Sequence, residues 1–143
     1  MKRQGWWIEI TNLVVPKYGD KEEDVRRLAR WIVENLGEET PFHLLRFHPE
    51  YLMQDLPPTP PETLEKLAKV AEDEGLKYVY IGNLWGHPKE NTYCPKCGTL
   101  VIRRYGFYIS EWNLTEDNRC PKCNYKINIR GRFYGSRKPR LFL

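Results

Sequence analysis

The hydrophobic positions of the first half of the chain switch period four times. "WWIEITNLVV" (Trp6 to Val15) is rich in β-branched and aromatic residues and partly alternates. It ends at Pro16 in the turn-like "PKYGD", which predicts a strand and its exit loop. In "KEEDVRRLARWIVENL" the apolar residues Val25, Leu28, Ala29, Ile32, Val33 and Leu36 recur at helical spacing as far as Gly37. With acidic residues in the first turn and Asp20 as N-cap, this predicts an amphipathic helix. "PFHLLRF" (Pro41 to Phe47) is short and apolar, and its flanking Pro41 and Pro49 favour a buried strand over a helix fragment. "TPPETLEKLAKVAEDEGL" opens with Thr59 as N-cap, Pro60 at the first helical position and Glu62 three residues after the cap, and Gly75 stops the helix. "KYVYIGN" (Lys77 to Asn83) reads as a third strand.

The order β-α-β-α-β implies a parallel sheet with right-handed crossovers and helices on one face. Three parallel strands leave two open edges, so the unit is expected to belong to a larger parallel, half-barrel-like sheet. A ligand of such a sheet sits at the C-terminal ends of the strands, where Arg46, His48 and Asn83 fall.

Composition changes the picture where the charge breaks. The chain of 143 residues carries a formal +4, with 41% apolar and 13% aromatic residues, enough to bury a core. Residues 1–93 hold 12 Lys and Arg against 16 Asp and Glu, a formal −4, whereas residues 94–143 hold 11 against 3, a formal +8. The break predicts two modules, residues 1–90 and residues 91–143. No stretch approaches the apolar length of a membrane span, and the short apolar run at the start breaks at Glu9; a cytoplasmic protein without a membrane partner is expected.

All four cysteines lie in two copies of Cys-Pro-Lys-Cys, Cys94 and Cys97, then Cys120 and Cys123, with 22 residues between the pairs. That spacing fits a hairpin between two metal knuckles, a zinc ribbon. Pro95 and Pro121 restrict each knuckle, and Gly98 and Asn124 are residue types that tolerate the left-handed backbone needed just after the second sulfur. Two disulfides or four free thiols are the alternative, disfavoured by the paired spacing without an export signal. Four thiolates leave no open position for water, so the metal is expected to be structural. Zinc is the expected ion, with iron in a rubredoxin-like site as the variant that sequence does not separate.

The stretch from Trp7 to Asn83 resembles the C-terminal strands and helices of the radical SAM half-barrel in the pyruvate formate-lyase activating enzyme family. "GNLWGHPKENTYCPKCGTLVIRRYGF", with a second Cys-Pro-x-Cys after it, is similar to the continuation of the chain in the AmmeMemoRadiSam branch of that family. The resemblance covers roughly residues 6–125, about the last third of a family member of ordinary length. Such enzymes hold a four-iron cluster on a Cys-x-x-x-Cys-x-x-Cys loop, which is absent from this sequence. The resemblance therefore implies a split-gene product, a truncated paralogue or a subunit that completes a partner's barrel, without radical chemistry alone. S-adenosylmethionine and an iron–sulfur cluster would enter only with a partner chain. The expected partner is an N-terminal radical SAM chain or a second copy paired through the edge of the Trp6 to Val15 strand. His48 falls where similar enzymes place a histidine near the adenosyl part of their cofactor; its bland reading is a loop cap.

The remaining candidates have structural readings. His43 is expected to be a packed, hydrogen-bonded histidine, His87 a turn residue, and Tyr105, Phe107, Tyr108 and Trp112 the small core and faces of the ribbon. Arg130, Arg132, Arg137, Lys138 and Arg140, interleaved with Phe133 and Tyr134, admit a rival function: a stand-alone ribbon that binds nucleic acid or a protein partner through its basic tail.

Overall fold

A computed structural model describes residues 4–135. The chain divides into two compact units between Leu84 and Trp85. Residues 85–90 go with the second unit because Glu90 is built into it: its carboxylate accepts from the N–H of Gly86 (2.8 Å) and of Gly106 (3.1 Å).

The first unit is a parallel sheet of β1 (Ile10–Val14), β2 (Phe42–Arg46) and β3 (Val79–Gly82), in the order β1-β2-β3, connected by helices α1 (Glu22–Leu36) and α2 (Pro61–Asp73). In register, Ile10, Phe42 and Val79 lie side by side, as do Asn12, Leu44 and Ile81. Phe42, Leu44, Val79 and Ile81 pack with Val25, Ala29 and Ile32 of α1 and Leu64, Leu67, Ala68 and Ala71 of α2 in one core. Period-2 alternation sends Thr11, Leu13, His43, Leu45 and Tyr80 to the opposite face, where Leu13 is exposed. Both β1 and β3 are edge strands among the described residues.

Three expectations are corrected by the structure. β1 covers Ile10–Val14 rather than Trp6 to Val15. Its first ladder bond runs from the Ile10 N–H to the Pro41 carbonyl at 2.9 Å, and before Pro41 the neighbouring chain is turning out of the sheet, so β1 begins at Ile10. Lys21, not Asp20, is the N-cap of α1, with no side-chain capping bond; Glu22, Glu23 and Asp24 instead complement the helix dipole. Pro60, not Thr59, caps α2, and Pro61 is its first residue.

Thr59 is diverted to a different task. Fully buried, its hydroxyl donates to the Val14 carbonyl (2.6 Å) and accepts from the Phe47 N–H (2.9 Å), and its own carbonyl accepts from Arg46 Nε (2.9 Å). One side chain thereby ties the C-terminal ends of β1 and β2 together and fixes the return of the long β2–α2 loop.

The second unit holds an antiparallel sheet of β4 (Thr92–Tyr93), β5 (Leu100–Tyr105) and β6 (Tyr108–Trp112). Val101 and Ile102 of β5 are fully buried, as is Ile127 beyond the second cysteine pair. Trp112 stacks on Phe133, with ring centroids 5.1 Å apart.

Candidate metal centre

Each cysteine pair sits in the same tight backbone turn. In the first, the Cys94 N–H donates to the Thr99 carbonyl (2.8 Å) and the Gly98 N–H to the Cys94 carbonyl (2.9 Å). In the second, the Cys120 N–H donates to the Tyr125 carbonyl (2.9 Å) and the Asn124 N–H to the Cys120 carbonyl (2.9 Å). The turn closes only if the residue after the second cysteine is left-handed, and Gly98 (φ +71°) and Asn124 (φ +59°) both are. The β5–β6 hairpin then carries the chain between the two turns.

The four sulfurs converge. Cys94 and Cys123 Sγ are 3.5 Å apart, Cys97 and Cys120 Sγ are 3.6 Å apart, and all four lie within 4.8 Å of one another. Sulfurs bound at about 2.3 Å to a tetrahedral ion stand about 3.8 Å from each other, so this donor set fits one closed ion and no disulfide is formed. Cys94 and Cys120 are buried, Cys97 and Cys123 half-buried.

The thiols are electrostatically unequal before any metal is considered. Burial pushes Cys94 up to about 12. The hydroxyl and backbone N–H of Thr99 pull Cys97 down to about 6, the hydroxyl lying 3.2 Å from its sulfur. Thr99 is a supporting residue that the cysteine spacing did not reveal, and Glu90 is another. A threonine two residues after a cysteine is the one sequence signal that could have found the first. The second carried none, since its partners are backbone N–H groups, at Gly86 and at Gly106 16 residues away.

The candidates of the first unit come together less. Asn83 (φ +59°) donates from Nδ2 to the Arg46 carbonyl at 3.3 Å, so β2 and β3 end side by side. The Arg46 guanidinium is turned to Thr59. His48 is 68% exposed, its Nδ1 3.4 Å from Glu50 Oε1. His43 is the packed histidine expected: Nε2 lies 2.8 Å from Glu9 Oε2 and the ring stacks on Tyr80. His87 caps a short 3-10 turn at Pro88–Glu90, its Nδ1 accepting from the Lys89 N–H at 3.1 Å. Arg137, Lys138 and Arg140 lie outside the described residues. Among the described residues no helix is long and apolar enough to cross a membrane.

No family model matches the chain. It is similar to the uncharacterized protein MJ0808 of Methanocaldococcus jannaschii, with 52% identity over 129 residues, covering 90% of this chain and 39% of that protein. The chain thus matches well under half the length of this relative. Fold and site together define an α/β unit joined to a four-cysteine ribbon able to bind a metal ion.

Proposed function

We propose that this chain is the C-terminal part of a radical SAM assembly related to the pyruvate formate-lyase activating enzymes, with a structural zinc or rubredoxin-like iron in its ribbon. The observation that carries the metal assignment is the convergence of four cysteine sulfurs within 4.8 Å on two matching turns. The order of motifs supports the radical SAM assignment. So does a parallel sheet whose β1 and β3 are edge strands among the described residues, which suits a fragment completed by further strands. The similarity to a relative in which the matched segment is 39% of the protein is in keeping with it. All four thiols are committed to the ribbon, so a cluster and the S-adenosylmethionine it serves would have to come with polypeptide outside these 143 residues that carries Cys-x-x-x-Cys-x-x-Cys. In that complex His48, just beyond the end of β2, faces the adenosyl group.

The test is complementation. The chain, reconstituted anaerobically with iron and sulfide, yields no 5′-deoxyadenosine alone and yields it when mixed with such a polypeptide, while the two co-sediment. A chain that stays monomeric and inert beside that partner overturns the proposal. A second reading, a ribbon that binds nucleic acid, is favoured by the exposed aromatic rings at the tip of the β5–β6 hairpin.

A further inference from the structure

Of the four aromatics expected in the small core and faces of the ribbon, Tyr105 and Phe107 are displayed to solvent, whereas Tyr108 and Trp112 are half-buried. Phe107 stands fully exposed at the turn of the β5–β6 hairpin, Tyr105 is 54% exposed beside it, and Trp85, 71% exposed, meets Tyr105 edge to face at 5.6 Å. The two turns that carry the rings share one anchor. The Glu90 carboxylate, more than nine-tenths buried, accepts from the Gly86 N–H behind Trp85 and from the Gly106 N–H between Tyr105 and Phe107. A buried carboxylate thereby joins the two turns that carry three rings contributing little to the unit's own core.

Strand pairing puts Arg103, Tyr105, Tyr108 and Glu111 on one face. The Arg103 guanidinium is half-exposed and gives its Nε to Glu111 at 2.7 Å. Residues 94–143 carry a formal +8. Flat rings beside an arginine on a basic module complement a polyanion whose bases are unstacked: rings take bases, guanidinium takes phosphate. An acidic or apolar protein groove would use the rings but not the charge surplus.

We infer that the hairpin tip formed by Trp85, Tyr105 and Phe107, with Arg103, is a binding face for single-stranded nucleic acid. This deepens the nucleic-acid reading of the proposed function and rests on the ribbon being folded. It places the contact on the hairpin tip rather than on the basic tail.

The experiment is anisotropy titration of metal-loaded full chain with labelled 12-nucleotide dT and rU strands and a duplex of equal length, with metal content measured on each sample. Phe107→Ala is the informative variant, since Phe107 supports no packing. The expected result is binding of single strands over duplex, weakened about tenfold by Phe107→Ala and similarly by Trp85→Ala, with metal content unchanged. A preference for dT or rU tells which strand is bound. Overturning results are binding indifferent to Phe107→Ala but abolished by an Arg137→Ala, Lys138→Ala, Arg140→Ala triple variant, or no binding by metal-loaded protein. Metal-free samples would instead indict the metal assignment. Loss of a protein partner on Phe107→Ala, with no strand bound, would make the tip a protein-docking face and overturn the inference.

Discussion

Gly98 and Asn124 are counterparts: each follows the second cysteine of its pair, each is left-handed, and each donates its N–H at 2.9 Å to the carbonyl of the first cysteine. A β-branched side chain at either place must leave this conformation or bear its strain. Gly98→Val and Asn124→Val should each destabilise the ribbon by about 1–2 kcal/mol or more, and Asn124→Gly should be nearly neutral. The check is the rate at which a chelator strips the metal, faster for both valine variants and near wild type for Asn124→Gly.

Cys94→Ser removes one of the four converging sulfurs, a buried one. Structural zinc of this kind contributes on the order of 10 kcal/mol or more to folding a small module. The variant should lose amide protection around Val101, Ile102 and Ile127 while Leu44 and Ile81, in the core of the first unit, keep theirs. Hydrogen exchange read by mass spectrometry distinguishes the two regions.

The fold was legible where one residue type has one use. The helical stripe from Val25 to Leu36 and the paired cysteines each admit a single economical reading, and α1 and the four-sulfur cluster follow them. Thr59 was misread because a threonine before proline and glutamate fits a helix cap locally, whereas the Val14 carbonyl and Phe47 N–H that claim its hydroxyl come from positions 45 and 12 residues away. Whether Phe107 lies in the core or on a face of the ribbon was equally hidden, since a phenylalanine in a β-rich stretch serves either until the turn at Gly106 is placed.

Thr59→Val keeps the shape and removes both hydrogen bonds. Leaving the Val14 carbonyl and Phe47 N–H without that partner should cost about 1–3 kcal/mol. Thermal or urea unfolding of the first unit checks this, and Thr59→Ser should retain most of the stability.

Glu74 joins the end of α2 to α1, accepting from Arg26 Nη1 (3.0 Å) and Arg30 Nε (3.1 Å). The Arg30 and Arg26 hydrogen bonds hold its carboxyl below the ordinary value of about 4.5. A depressed folded-state pKa stabilises the fold above the unfolded value and is lost as pH falls through the folded one. Wild-type protein should therefore lose more stability on acidification below about pH 4.5 than Glu74→Gln does, and the two should converge in strong acid. Unfolding midpoints across that pH range give the comparison.

The metal centre is the central claim, and elemental analysis of protein purified without chelator, joined to X-ray absorption at the metal edge, tests it most directly. One zinc or iron per chain with four sulfurs at about 2.3 Å is the predicted result. Protein free of metal with Cys94, Cys97, Cys120 and Cys123 paired as disulfides, or an ion with water among its ligands, would contradict it.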